Sequence, residues 1–323
     1  IDNYHQYTTT TTHPEENHAN NTTTTTTTHR PIRPNTVIYS SVINIFAQHG
    51  DIEGAQRVFT MMKDDYERYQ NLSAKPNIRT YNMMINAWSK SSEKIHPEAA
   101  IVAEALLFEL QSLSTMKFIK EGPTTVTYNA VINCWSKSSV PEAPQRALNI
   151  LTTMLNEYNT HKQQDDGNTN DDDEEIGSTR NTQNPSYNGR AETVRPDTIT
   201  YNSVMNTYGK KGDIEGTLSI FNMMRGDFSS GNTQAKPDVR SYNILIDAYA
   251  KSAEHNTTPE APHQAETVLI NMIQLHRRGQ LEDGPDLFSY SGVINCWSKS
   301  PQKEAPDRAM AILTLVTEKY QLQ

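Results

Sequence analysis

The sequence predicts an all-α protein, an α-solenoid of six helix-turn-helix hairpins, and three observations support this prediction. A tyrosine-anchored motif occurs six times, each time five residues after a proline. In each copy, apolar residues fall at the tyrosine and three, four and seven positions later, which is the period of a helix with one apolar face. A second segment of the same period follows each copy. Hairpins this small cannot bury their own apolar faces and must stack on their neighbours.

The first helix of each hairpin, here called the A helix, contains the motif. The clearest copy reads Val-Thr-Tyr-Asn-Ala-Val-Ile-Asn-Cys-Trp-Ser-Lys at residues 126–137. Because proline cannot continue a preceding helix and its fixed φ suits a first turn, we expect an A helix to begin at each proline. The prolines and tyrosines are Pro34 and Tyr39, Pro76 and Tyr81, Pro123 and Tyr128, Pro196 and Tyr201, Pro237 and Tyr242, and Pro285 and Tyr290.

The second helix, called the B helix, has its own apolar face. In the first hairpin this face contains Ala55, Val58, Phe59 and Met62. It follows Gly-Asp-Ile-Glu-Gly at residues 50–54, where glycine can end one helix and aspartate can cap the next. The same five residues recur at 212–216, and longer connections end in Pro-Glu-Ala at 97–99 and 259–261, which is also helix-entry chemistry.

The hairpins form two similar blocks. The tyrosine steps are 42 and 47 residues in the first block and 41 and 48 in the second, which indicates duplication of three hairpins. Residues 165–175 contain seven carboxylates among polar residues, a composition that cannot form a core. We therefore predict four segments: a disordered threonine-rich tail (1–33), hairpins one to three (34–158), an acidic disordered insert (159–194) and hairpins four to six (195–323).

Composition limits the other possibilities. The mean hydropathy of -0.71 and the absence of a long apolar run predict a polar protein with no membrane span. Since the chain begins at Ile1 rather than methionine, we interpret it as a fragment from which a targeting peptide is missing. The net charge of -9 owes much to the predicted insert, so a basic nucleic-acid-binding face is compatible with it.

No metal or cofactor is predicted. The histidines of the tail could be imagined as metal ligands, but they lack the close spacing of a zinc site, and a solvated tail is the favoured interpretation. Cys134 and Cys296 occupy equivalent positions in different A helices, so unpaired, reduced thiols are expected. The four tail histidines are His5, His13, His18 and His29.

The copies resemble pentatricopeptide repeats, a family of helical-hairpin RNA-binding proteins that includes organellar proteins and the repeat region of protein-only ribonuclease P. The matching features are the Thr-Tyr-Asn core followed by two apolar positions, a lysine nine residues after the tyrosine, and a closing Pro-Asp at 196–197, 237–238 and 285–286. Tetratricopeptide repeats have a different tryptophan and glycine pattern and lack the asparagine. The resemblance implies a right-handed superhelix, with units longer than the family's because their connections are longer.

The resemblance also implies that each hairpin reads one base through two or three side chains. The selecting pair is the residue after the tyrosine and the residue after the next closing proline; Asn with Asp favours uracil, and Ser with Asn favours adenine. The alternative is local backbone bonding at a helix start. The pairs are Ser40 with Asn77, Asn82 with Thr124, Asn129 with Asp197, Asn202 with Asp238 and Asn243 with Asp286, and Ser291 has no partner in the sequence.

The same resemblance implies base-stacking residues at one further position of each repeat and phosphate-binding residues at another. Two residues before each tyrosine, the family clamps or stacks bases, and here the residues are Val37, Arg79, Val126, Ile199, Arg240 and Phe288. Nine residues after five of the tyrosines, the family places a phosphate-binding lysine; the alternative is that the lysine simply favours the carboxyl end of the helix dipole. These lysines are Lys90, Lys137, Lys210, Lys251 and Lys299, and Gln48 is the exception.

The leading hypothesis is therefore sequence-selective binding of single-stranded RNA, in organellar RNA processing or stability. The alternative is a scaffold for protein–protein interaction. A nuclease is a third possibility, but the aspartates at 171–173 lie in low-complexity sequence, so we predict that this chain is not an enzyme. The expected partner is single-stranded RNA, together with RNA-processing proteins, and no membrane or small-molecule substrate is expected. By resemblance, the location is the mitochondrion or the chloroplast.

Overall fold

The computed structural model describes residues 32–91, 96–167, 194–254 and 258–321. Within these ranges the chain forms twelve α-helices and no β-strand, as predicted. In chain order they are α1 (Thr36–Gln48), α2 (Ile52–Glu67), α3 (Ile78–Lys90), α4 (Ala99–Thr115), α5 (Thr125–Lys137), α6 (Ala143–Gly167), α7 (Thr198–Gly209), α8 (Ile214–Ser229), α9 (Val239–Glu254), α10 (Ala261–Arg277), α11 (Leu287–Ser298) and α12 (Ala305–Gln321). Odd-numbered helices are A helices, and even-numbered helices are B helices.

The helices pack as a stack of six hairpins. Each A helix contacts its own B helix and the A helix of the next hairpin, and each B helix except α12 contacts the following A helix. The third and fourth hairpins follow the same rule, since α7 contacts both α5 and α6. The predicted solenoid is therefore confirmed.

The tyrosine-anchored faces form the core. Trp88, Trp135 and Trp297 are all buried, which confirms their interpretation as packing residues, and burial of such an aromatic side chain contributes about 2 to 3 kcal/mol. The B-helix faces are also buried except in α12, where Leu313 is 47% exposed. The prediction fails there because α12 packs mainly against α11, and no A helix follows it among the described residues to cover the face of Leu313.

The A helices begin two residues after the prolines rather than at them. The intervening residue caps the helix: Asn77 accepts a hydrogen bond from the Thr80 backbone N–H at 3.1 Å, and Asp197 accepts one from the Thr200 N–H at 2.8 Å. A cap residue has extended rather than helical backbone, and φ is -131° at Asn77 and -117° at Asp197. Proline thus precedes the cap, and the expected helix starts are corrected accordingly.

The short turn between A and B helices is as predicted. Gly50 and Gly212 have φ of 75° and 70°, a left-handed conformation that favours glycine. Asp51 then caps α2 by accepting the Gly54 N–H at 2.7 Å, and the equivalent bond in α8 is 2.8 Å. Where the connection is longer, α4 and α10 begin at the expected alanines, but the preceding glutamate side chains make no capping bond.

The two blocks share detailed hydrogen bonding, which supports their duplication. In the first block the Asn71 side-chain amide donates to the Pro34 carbonyl at 2.8 Å and to Asp65 at 2.6 Å. In the second block, Asn232 repeats both bonds at the same distances, to the carbonyl of Pro196 and to the carboxylate of Asp227. These bonds fix each A-helix start against the end of its own hairpin.

The predicted boundaries lie partly outside the described residues. Helix α6 continues to Gly167, beyond the predicted start of the insert at 159, because a helix propagates readily from a packed beginning. The rest of the predicted insert, and residues 1–31 of the predicted tail with their four histidines, lie outside the described ranges. Both cysteines are free and buried, and no described helix is long and apolar enough to cross a membrane.

Candidate nucleic-acid interface

The predicted base-selecting pairs of hairpins three to five come together where neighbouring A helices begin. The Nδ2 atom of Asn129 lies 3.1 Å from Oδ1 of Asp197, which caps the next A helix. Asn202 and Asp238 make the same contact at 3.1 Å, and so do Asn243 and Asp286. An asparagine of one hairpin therefore donates to the helix cap of the next hairpin at three successive junctions.

The hydroxyl group that precedes the next tyrosine completes this arrangement. Thr200 Oγ1 donates to Oδ1 of Asn129 at 2.6 Å, and Ser289 Oγ donates to Oδ1 of Asn243 at 2.7 Å. Thr127 makes the equivalent 2.7 Å bond to Asn82. Each of these bonds fixes the orientation of an amide, so that its remaining donor and acceptor point in a defined direction.

The Asn–Asp contact has the same length at the three junctions, although the number of residues between its two members differs. The residues of the three Asn–Asp pairs are separated by 68, 36 and 43 positions in the chain, yet the contact distance is 3.1 Å in each. The contact distance therefore does not vary with the number of residues between the two members of a pair.

The other predicted pairs are arranged differently. Ser40 Oγ donates to the Thr36 carbonyl at 2.6 Å, while Asn77 caps α3. Asn82 is linked to Thr124 only through Thr127, whose hydroxyl lies 3.3 Å from that of Thr124. Ser291 is exposed, and its hydroxyl donates to the Phe288 carbonyl at 3.3 Å.

Asn202 differs from the other predicted selectors because it is buried, with 4% of its surface exposed. Its Oδ1 atom has no hydrogen-bond partner among the described residues. The hydroxyl that could serve it, on Ser241, is directed instead to Met224 Sδ at 3.7 Å and to Asp238 at 2.9 Å. At this junction Asp238 is exposed and the amide is not.

The carboxylate cap Asp286 carries negative charge at neutral pH. At Asp286, burial opposes ionisation, but hydrogen bonds from the Ser289 backbone, from Asn243 and from the Ser289 hydroxyl lower the pKa below its ordinary value. The cap is therefore an acceptor of hydrogen bonds over the whole neutral range.

The residues two positions before the tyrosines form an exposed row beside these pairs. Val37, Val126, Ile199 and Phe288 are between 60% and 78% exposed, although they are apolar. Arg79 and Arg240 occupy the same position in the other two A helices and are also exposed. The side chains at this position are therefore exposed and are not part of the core.

The predicted phosphate-binding lysines lie at the carboxyl ends of the A helices, and four of them have defined contacts. The ammonium groups of Lys137 and Lys210 donate to the carbonyls of Ser89 and Ser136, at the end of the preceding A helix. Lys251 lies 2.6 Å from Asp247, and Lys299 lies 2.6 Å from Glu254. Lys90 is the exposed last residue of α3, and these positions fit the helix-dipole interpretation.

The sequence pattern of the PPR repeat family matches residues 34–90 and 196–251. These segments contain the first hairpin of each block and the A helix that follows it. These two segments are pentatricopeptide repeats. The remaining hairpins of the chain repeat the same packing.

Solved structures of one pentatricopeptide repeat protein align with the chain. The crystal structure of PPR10 in complex with an 18-nt psaJ RNA element is 18% identical, with a TM-score of 0.41, and the alignment covers 90% of this chain and 36% of PPR10. The crystal structure of PPR10 from maize aligns at 20% identity and a TM-score of 0.36, covering 83% and 32% of the two chains. Comparison with curated proteins finds no match.

Two features of the site were not predicted from the sequence. The second member of each predicted pair is a helix cap, and the hydroxyl three residues later is part of the junction. The signal was present as Asp-x-x-Thr at 197–200 and Asp-x-x-Ser at 286–289, a spacing typical of a capping box. In the described part of the chain, no group of histidine, cysteine and carboxylate residues could hold a metal ion.

Proposed function

We propose that the edge formed by the A-helix starts binds single-stranded RNA and reads one base per hairpin. The observation that carries this proposal is the uniform junction, in which an asparagine amide and a capping aspartate meet at 3.1 Å three times in succession. The match of residues 34–90 and 196–251 to the PPR repeat family supports it. PPR10, a protein of the same family, was crystallised with an RNA element.

The chemistry of one junction shows how a base could be selected. The Asn243 amide uses one N–H toward Asp286 and one acceptor position toward Ser289, which leaves one donor and one acceptor. The ionised carboxylate of Asp286 accepts hydrogen bonds but cannot donate them. The carboxylate favours a base with an N–H in the middle of its Watson–Crick edge, such as N3–H of uracil. It repels the lone pair that adenine carries at N1 and cytosine at N3.

The exposed row supplies surface on which bases can stack. Phe288 is 78% exposed beside Ser291, and Arg79 presents a guanidinium plane at the equivalent position of α3. Stacking of this kind contributes about 1 to 3 kcal/mol per base and tolerates any base. Affinity would then come largely from stacking, and selectivity from the junctions.

Only some of the predicted lysines are available to contact phosphates. Lys251 and Lys299 already neutralise carboxylates at 2.6 Å, so a phosphate must compete with Asp247 or Glu254. Lys90 and Lys137 are exposed and have no carboxylate partner among the described residues. We therefore place the stronger phosphate contacts in hairpins two and three.

Filter binding against uracil-, adenine- and cytosine-rich oligonucleotides tests the proposal. We expect the uracil-rich RNA to bind most tightly. Asn129→Ala should weaken binding, whereas Asn156→Ala, at an exposed position of the B helix α6, should not. Equal affinity for the three RNAs, or equal loss in both variants, would contradict base reading at the junctions.

We also propose that the protein acts on organellar transcripts in RNA processing or stability. This rests on the family alone. Cell fractionation of the full-length protein, followed by crosslinking and sequencing of the bound RNA, tests it, and recovery of cytosolic transcripts only would overturn it.

A further inference from the structure

A groove of about 790 Å³ lies between the B helices α8 and α10. Its apolar lining includes Phe221, Leu245 and Val268, and no described residue of the predicted base-selecting pairs lines it. Three cationic side chains, those of Arg225, Lys236 and Arg278, also line the groove. No aspartate or glutamate is present among the described lining residues. All the charged side chains that line the groove are therefore positive, although the net charge of the protein is -9.

In the first block, an ion pair joins the two equivalent B helices. Between α2 and α4, Lys63 Nζ lies 2.5 Å from Glu109 Oε1 and joins the two B helices. The Tyr81 hydroxyl donates to the same carboxylate oxygen at 2.8 Å. Glu109 therefore satisfies both the cation and the tyrosine between these two helices.

The second block has lost that carboxylate. Alignment of the two blocks places Arg225 at the position of Lys63 and Asn271 at the position of Glu109. Arg225 forms no ion pair with a described residue, and the Tyr242 hydroxyl, equivalent to that of Tyr81, makes no hydrogen bond to one. The second block therefore keeps a cation at this position, as Arg225, but lacks the carboxylate that pairs with the cation in the first block.

Two further differences between the blocks remove an aromatic ring and add a positive charge at one end of the groove. In the first block, Lys75 Nζ lies 5.3 Å from the centre of the Phe118 ring. In the second block Gln280 replaces that ring, and Arg278 replaces Met116. The cations consequently gather where the B helices end, while Leu218 and Gln264 line the other end, where the helices begin.

We propose that this groove binds an amphiphilic anion, an elongated apolar molecule that ends in a carboxylate or a phosphate. From Gln264 to Arg278 the groove follows α10 for about 21 Å, at roughly 1.5 Å per residue, which suits an extended chain. Its volume is typical of small-molecule sites, which are mostly apolar with a few convergent polar groups. Arginine binds carboxylate and phosphate equally well in geometric terms.

Fluorescence titration of the purified chain with dansyl-labelled undecanoic acid tests the proposal. We expect saturable binding that dodecanoate or dodecyl phosphate displaces and that dodecanol displaces at least tenfold less well. The relative potency of the carboxylate and the phosphate identifies which head group the groove prefers. Asn271→Glu restores the counter-charge of the first block and should weaken binding at least tenfold. Asn156→Glu adds the same charge on α6, outside the groove, and should leave binding unchanged.

Several results would overturn the proposal. One is unchanged binding in Asn271→Glu when circular dichroism shows that the variant is folded. Another is equal displacement by dodecanol, which would remove the role of the cations. Failure of the fluorescent acid to bind, or displacement only by an acidic amphipathic peptide, would assign the groove to a different occupant or to none.

Discussion

Exchange of one base-selecting pair should change the preferred base at one position of the bound RNA. The double variant Asn243→Ser with Asp286→Asn converts the fifth junction into the combination of the first, Ser40 with Asn77. The fold should tolerate both changes, because Asn77 already caps α3 and Ser40 already occupies the equivalent place in α1. Asparagine is about as good a helix cap as aspartate.

The magnitude follows from the bonds available at this junction. Asn243 retains one donor and one acceptor for a base, and each hydrogen bond of this kind contributes about 0.5 to 1.5 kcal/mol net. Loss of two such bonds costs about 2 kcal/mol, or roughly thirtyfold in affinity. We therefore expect uracil to be replaced by adenine at one position, with that size of preference.

Selection from a randomised RNA library, with sequencing of the bound fraction, measures this without any assumption about the direction of the RNA. One position of the recovered motif should change from uracil to adenine, and the other positions should stay as they are. Asn156→Ser serves as the control, since it makes the same type of exchange on α6. An unchanged motif in a folded double variant would refute base reading at this junction.

Three further predictions concern stability, pH and salt. Gly216→Ala should lower the free energy of unfolding by about 1 to 3 kcal/mol, because the added Cβ would lie 2.1 Å from the Tyr208 ring. Gly226→Ala, whose added Cβ would have nothing within 4 Å, should instead raise the free energy of unfolding by about 0.5 to 1 kcal/mol. Urea titration measures both changes, and equal effects would contradict the packing argument. Since the pKa of Asp286 is lowered in the folded state, this residue stabilises the fold above its unfolded pKa of about 3.9, and the contribution disappears as the pH falls through the folded pKa. The stability of the wild type relative to Asp286→Asn should therefore be constant from pH 7 to 5 and decline in more acidic solution. A decline already near neutral pH would contradict the lowered pKa. Glu254→Gln should release Lys299 for a phosphate and steepen the logarithmic salt dependence of RNA binding by about 0.7; an unchanged slope would mean that Lys299 does not contact RNA.

The sequence predicted the packing of this fold because the packing is periodic. The face of Tyr128, Val131, Ile132 and Trp135 was visible as a helical repeat and is fully buried. The helix starts were misplaced by two residues, since the fixed φ of proline was given more weight than the side-chain cap that follows it. Local sequence contained both signals, and the cap determined the boundary.

The parts of the site that could not be predicted depend on neighbouring hairpins. Nothing local distinguishes buried Asn202 from accessible Asn129; the difference arises because Ser241 bonds to Met224 and Asp238, whereas Thr200 bonds to Asn129. Likewise, the contacts of Lys137 and Lys299 join residues 48 and 45 positions apart. Such pairings are set by the stacking of hairpins and have no signature within a single motif.

The junction between Asn129 and Asp197 has a practical consequence for protein engineering. It closes with the same geometry as its neighbours although 68 positions separate its residues, so its geometry does not depend on how much chain connects α6 to α7. A foreign domain could be grafted between these helices without changing the contact between Asn129 and Asp197. The protein offers a ready attachment point for a reporter or an effector midway along its length.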